Sequence, residues 1–211
     1  IDGIEFYDLP KNINKPLIAD MSSTLLSRPF DLSPYSLVYA CAQKNLGCTG
    51  VSWIIVKKES YDLQAQKTLP MMLSYKKHIE QNSLLNTSPT FSVYVSKLIF
   101  DWISEQGGLK KIEEENIKKS KILYEFIDQT SLFFCPVARE NRSRTNVCFF
   151  LKDRSLEKNF LSLTEKHGLI NLKGHRLKGG FRASLYNAIP EKAVKKLIEI
   201  MEIFEKNYGH S

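Results

Sequence analysis

The stretch ACAQKNLGCTG, Ala40 to Gly50, sets a single lysine among small and polar residues. The apolar segment Ser36 to Ala40 leads into it, and Val51 to Lys57 (VSWIIVK) follows. Short apolar runs rich in β-branched and aromatic residues, bounded by turn formers, predict strands. Lys44 is therefore expected in a tight connection between two buried elements, where a solvating charge is not the obvious choice. Upstream, Pro16-Leu17-Ile18-Ala19 is a further short apolar run; it ends at Asp20 and is followed by Met21-Ser22-Ser23-Thr24. A buried strand ending in an acid and then hydroxyls is where open α/β sheets place ligand groups. A turn or helix-capping role suits Asp20 equally well. The alternation of apolar runs and loops predicts neighbouring strands of one sheet.

Further along, residues 58–88 show no sustained period and are expected to be irregular, and such long segments are usually functional. Ser88-Pro89 reads as an N-cap followed by a first-turn proline. Phe91, Tyr94, Val95, Leu98, Ile99 and Trp102 then recur at helical spacing until Gly107-Gly108. A second helix, Leu109 to about Thr130, points Leu109, Ile112, Leu123, Phe126 and Ile127 inward. Its segment Lys110 to Lys121 interleaves with Glu113, Glu114 and Glu115, so Glu114–Lys118 and Glu115–Lys119 pairs predict a solvated face. Phe133 to Val137 and Thr145 to Leu151 read as strands, and Ser155 to His167 as a helix stopped by Gly168. Leu169 to Leu172 is strand-like, and a basic, glycine-rich turn, Lys173 to Gly180, leads to Phe181–Leu185. Pro190 opens a last amphipathic helix with Val194, Leu197, Ile198, Met201 and Phe204 inward. The pattern predicts an α/β fold with two parts, residues 1–108 and 109–211, the helix pair bridging them.

The 211 residues are 43% hydrophobic and 11% aromatic, enough to bury a core, and the mean hydropathy of −0.26 is ordinary for a soluble protein. No apolar run approaches the ~18 residues of a membrane span, and no signal peptide is evident, so no membrane partner is expected. The chain begins at Ile1 in what reads as the middle of a domain, which predicts a piece of a longer protein. The net charge of +7 suggests an acidic ligand, but the lysines are spread along the chain, so nucleic acid is not the expected partner. Cys41, Cys48, Cys135 and Cys148 form no C-x-x-C pair, and His78, His167, His175 and His210 are scattered. Free thiols in a reducing, cytoplasmic setting are expected, and no metal site.

Asp20 and Lys44 each close or follow an apolar run. Pyridoxal phosphate chemistry needs such a pair: a lysine to bond the cofactor and a carboxylate to keep its ring nitrogen protonated. The lysine, released by substrate, can then carry a proton. Taken alone the pair is weak, because Asp and Lys are common. Five segments sharpen it: DMSSTLLSRP at 20–29, AQKN with the following glycine, NTSPTFSVY at 86–94, NRSRTNV at 141–147 and KGHRLKGGFRASLYNA at 173–188. Together, in this order, they resemble the phosphoserine aminotransferase family of fold-type I, class V pyridoxal-phosphate enzymes, from about residue 15 to 209.

The resemblance implies the later part of a cofactor-binding large domain (1–108), then a bridging helix and a small α+β C-terminal domain (109–211). It implies pyridoxal 5′-phosphate as cofactor, with Lys44 as the Schiff-base lysine, Asp20 at the pyridinium nitrogen and Gln43 at the phosphate. Asn86 and Thr87 would reach the cofactor phosphate of the other subunit in a homodimer with shared sites. Arg182 would bind the substrate α-carboxylate, and His175 and Arg176 its distal phosphate or carboxylate. Arg142 and Arg144 are expected to be structural. The implied reaction passes an amino group from L-glutamate to 3-phosphohydroxypyruvate in serine biosynthesis, with a related substrate in vitamin B6 synthesis. The family's glycine-rich phosphate contacts and stacking aromatic ring have no counterpart among these residues. Another class V enzyme, a desulfurase, or a non-catalytic basic interaction module are the alternatives. The KGHR and GGFRAS segments argue against the first two.

Overall fold

The computed structural model describes residues 1–61 and 69–209. The chain divides into two compact units, residues 10–109 and residues 1–9 with 110–211.

In the first unit, strand β1 (Ile18–Asp20) runs parallel to β2 (Leu37–Cys41), and β2 pairs antiparallel with β3 (Ser52–Val56). Side chains alternate across a strand, so the central strand sends Val38 and Ala40 into the core and Tyr39 to the other face. Met21, Leu25, Ala42 and Leu46 complete that core. Two short helices, α1 (Lys58–Tyr61) and α2 (Tyr75–Glu80), occupy part of the segment expected to be irregular. Residues 62–68 of it lie outside the described residues, as does His210. Helix α3 (Thr90–Glu105) starts one residue later than the Ser88-Pro89 signal predicts. Pro89 has φ −73° and ψ 77°, outside the helical region, so it takes the capping position and no side chain caps the helix. Trp53 of β3 meets Phe100 of α3 edge to face, with ring centroids 5.2 Å apart.

Helix α4 (Gly108–Gln129) follows directly. In the second unit, β5 (Asn146–Leu151) is the middle strand between β4 (Phe133–Phe134) and β6 (Phe181–Ser184), all antiparallel. β4 is shorter than expected because Pro136 lacks the N–H that a longer ladder needs. Leu169 to Leu172 forms no strand: Asn171 has φ 61°, which breaks the extended backbone. Helices α5 (Glu157–Lys166) and α6 (Glu191–Tyr208) add Phe160, Val194, Leu197, Met201 and Phe204 to one core with Phe133, Phe149 and Phe181. Residues 1–9 join this unit, whereas the sequence pattern groups them with the first part. Ser143 N–H donates to Gly3 O at 2.9 Å and Glu5 N–H to Asn141 O at 2.9 Å, which tie them to 141–143.

The charged face of α4 is the largest departure. Ile112, Asn116, Lys119, Leu123 and Ile127 share one helical stripe, and all are buried, Lys119 to 2% exposure. Lys119 does not pair with Glu115. Its ammonium donates to the carbonyls of Leu185, Tyr186 and Ile189, at 3.3, 3.2 and 2.9 Å. Lys118 reaches Glu191 at 2.6 Å, and Lys111 holds Glu114 and Glu115 instead.

Candidate functional site

The Lys44 connection is a single helical turn between β2 and β3. Ala42 N–H donates to Val51 O across its base, and Leu46 N–H to Ala42 O along its length, both at 3.1 Å. Buried Ala42, Asn45 and Leu46 anchor the turn, which leaves Gln43 exposed and Lys44 half-buried. Helix α3 supports the turn from below. Ser92 Oγ donates to Thr49 O at 2.8 Å, and a Cβ on Gly47 would stand 2.8 Å from Ser96 Oγ. Gly50, at φ 107°, would bring its Cβ to 2.9 Å from Ser92 Oγ. The small residues around the lysine are thus required by close approach of the helix.

Asp20 ends β1 directly opposite Tyr39 of β2. Its carboxylate accepts from Ser22 N–H at 2.8 Å, so it makes the turn contact that capping logic suggests while also facing Tyr39. Burial would raise its pKa. The Ser22 hydroxyl and N–H, the Tyr39 hydroxyl and the Lys44 charge outweigh burial and hold the carboxyl below its usual range. The Tyr39 phenol is pushed up, first by the negative charge of Asp20, then by desolvation. Ser22 Oγ also accepts from Cys41 N–H at 3.1 Å, and Asn45 Nδ2 donates to Ser23 O at 3.4 Å, joining the Asp20 turn to the Lys44 turn. Asp20, Tyr39 and Lys44 therefore form one electrostatically linked cluster, with the carboxylate of Asp20 held ionised. Among the described residues the Lys44 ammonium makes no hydrogen bond or ion pair, and it acts on Asp20 at longer range.

Asn86 and Thr87 are exposed in the lead-in to α3, where Asn86 Nδ2 donates to Thr87 O at 3.1 Å. Among the described residues neither makes a hydrogen bond or ion pair with Asp20 or Lys44. His175, Arg176 and Arg182 belong to the other unit. The 173–180 turn is closed by Gly174 N–H to Gly180 O at 2.8 Å and Gly179 N–H to His175 O at 2.8 Å. Half-buried His175 accepts from Leu177 N–H at Nδ1, 3.3 Å away, so a neutral ring carries its proton on Nε2. It lines a cavity of about 410 Å³ with Cys148, Lys178 and Asn141, among others. Arg176 is exposed. Arg182 lies across the ladder from Cys148, and its Nε is buried with no hydrogen-bond partner among the described residues. A buried, unmatched donor on a planar fork is suited to receive a carboxylate.

Arg142 and Arg144 are structural. Arg142 forks onto Asp128 at 2.8 and 2.9 Å and stands over the Tyr124 ring. Arg144 pairs with Glu113 at 2.7 Å and covers Tyr7. Sequence reasoning missed Tyr39 of the cluster. The one available signal was that Tyr39, on a strand next to that of Asp20, alternates with buried Val38 and Ala40.

The aminotransferase class-V family model matches residues 5–197 of the chain. The chain belongs to the class-V aminotransferase family. It is 46% identical to the phosphoserine aminotransferase of Nitrosomonas europaea over 216 residues, 99% of this chain and 59% of that protein. It superposes on the phosphoserine aminotransferase of Bacillus circulans subsp. alkalophilus with a TM-score of 0.92 and 43% identity, covering 98% of this chain and 57% of that one. The PLP-bound phosphoserine aminotransferase of Trichomonas vaginalis gives a TM-score of 0.90 at 39% identity, covering 95% and 57%. This class-V chain thus spans less than three-fifths of the length of these relatives. The α/β class is as expected. Among the described residues no helix is long and apolar enough to cross a membrane, and no cluster of three or more metal-ligating side chains occurs.

Proposed function

We propose that this chain carries the lysine and acid half of a pyridoxal-phosphate aminotransferase site. The whole protein would pass the amino group of L-glutamate to 3-phosphohydroxypyruvate, giving O-phospho-L-serine and 2-oxoglutarate. The observation that carries this is the ionised Asp20 carboxylate linked to Tyr39 and Lys44 in a chain similar to phosphoserine aminotransferases. The donor set fits the cofactor: a carboxylate held ionised for a protonated ring nitrogen, and a lysine with no competing ion pair among the described residues. When bound, pyridoxal phosphate supplies an electron sink for the bond broken at the substrate Cα.

The chain's residues do the rest. Asp20 presents a charge that Ser22 and Tyr39 keep deprotonated. Lys44 Nζ, on a turn braced by α3, holds and returns the proton. Gln43 is exposed beside it for a phosphate oxygen. Arg182 binds the α-carboxylate through its fork, and His175 and Arg176 meet the distal phosphate or carboxylate. Asn86 and Thr87, ahead of an uncapped helix, serve the phosphate of a second copy. Exposed Phe91, Val93, Tyr94 and Leu98 on α3 support a homodimer with shared sites. The free cysteines support a cytoplasmic setting, and serine or vitamin B6 synthesis is the pathway.

Substrate choice tests the assignment. With pyridoxal 5′-phosphate added, O-phospho-L-serine and L-glutamate should each convert the cofactor absorbance. L-Alanine and L-cysteine should do so at least about 100-fold more slowly, because the polar groups meant for phosphate stay unmatched. Equal rates with L-alanine or L-cysteine would assign another class-V activity.

A further inference from the structure

We propose that Lys119 is a positioning residue for Arg182, setting the direction of the guanidinium by holding the turn that follows β6. This rests on Arg182 as the carboxylate ligand. A buried ammonium is strongly penalised by desolvation unless its donors are matched. Lys119 has three donors and three acceptors, the carbonyls of Leu185, Tyr186 and Ile189, all from one turn. Among the described residues no acid pairs with it: Glu115 acts only at a distance, and burial pushes the ammonium down to about 8. Packing α4 against this turn would be served as well by Met or Leu. The retained charge gathers three carbonyls of this turn, of which Tyr186 O also accepts from Ile189 N–H at 2.9 Å.

The same helix grips the same segment twice more. Asn116 Nδ2 donates to Asn187 Oδ1 at 2.9 Å, and Lys118 pairs with Glu191 at the start of α6. The last ladder pair of β6 is Asn146 with Ser184, so the clamped turn begins at the next residue. Arg182 stands just before it, and Tyr186 within the turn lies in electrostatic reach of the guanidinium. Arg182 Nε itself has no hydrogen-bond partner among the described residues. What directs the fork is therefore its strand and the turn beside it, and Lys119 fixes the turn.

The test uses the full chain with pyridoxamine 5′-phosphate present, the cofactor form that L-glutamate does not convert, labelled with ¹⁵N-arginine, the Arg182 Nε–H signal being assigned by its loss in Arg182→Lys. In the wild type this signal should exchange slowly with solvent and shift on titration with L-glutamate. In Lys119→Met its exchange should quicken, and the glutamate Kd rise, by about tenfold. Asn187→Ala should move both readouts in the same direction by less. Changes within about twofold in Lys119→Met, with the wild-type shift intact, would overturn the positioning role alone. A wild-type signal that ignores glutamate would overturn the role of Arg182, and this proposal with it. Should Lys119→Met not fold, Asn187→Ala decides by the same two readouts.

Discussion

Asp20 shows how one side chain can satisfy two expectations drawn from its sequence position. Its carboxylate closes the turn through Ser22 N–H and also faces Tyr39 on the neighbouring strand. Asp20 and Lys44 were legible because each interrupts an apolar pattern. Tyr39 was not, because a tyrosine in a strand looks like packing until the register sets it beside the acid. Removing its hydroxyl should therefore titrate Asp20. In Tyr39→Phe the Asp20 pKa, followed by ¹³C NMR of the carboxyl, should rise toward 3.8, the value the group has when unperturbed. The sign follows from linkage: a depressed folded pKa adds stability above the unfolded value and loses it as pH falls through the folded one. Tyr39→Phe should thus be less stable than wild type at neutral pH and converge with it in acid. An unchanged Asp20 midpoint would remove Tyr39 from the cluster. Lys119 is the opposite case, since its charge pattern reads as a solvated face and only the helical stripe shared with Ile112 and Leu123 shows it to be buried.

Among the elements, long helices were predicted within a residue or two because their apolar periodicity spans many turns. The failures were short and local. Pro89 shifted a helix start, Asn171 broke a strand through a positive φ, and Pro136 cut β4 short. Connections that depend on one long-range side chain were invisible. Glu205 on α6 is such a case: its Oε1 accepts from Thr130 Oγ1, Ser131 N–H and Ser131 Oγ, at 2.7, 2.8 and 2.9 Å. Burial opposes its charge, but these donors prevail and its pKa is lowered from 4.5. Glu205→Gln should cost about 1 kcal/mol at neutral pH by urea denaturation. The deficit should shrink as pH falls through the Glu205 pKa, because wild type then loses the same charge. A deficit that persists unchanged in acid would show that geometry, not charge, holds the turn.

On the scale of the whole molecule, the α/β class came from the order of patterns, and the motif segments gave the family. The grouping of residues 1–9 did not, because backbone bonds to 141–143 leave no local signature. The proposed dimer follows from α3, whose Phe91 is 73% and Tyr94 57% exposed. Phe91→Asp with Tyr94→Asp should convert a dimer to monomer in sedimentation analysis while leaving the circular dichroism spectrum unchanged. A dimer that survives both substitutions would place the interface elsewhere. The central claim is that Lys44 is the cofactor lysine, and absorbance tests it most directly. Purified chain mixed with pyridoxal 5′-phosphate should develop a visible band that L-glutamate discharges, and Lys44→Ala should not develop it. A band of equal intensity in Lys44→Ala would contradict the account.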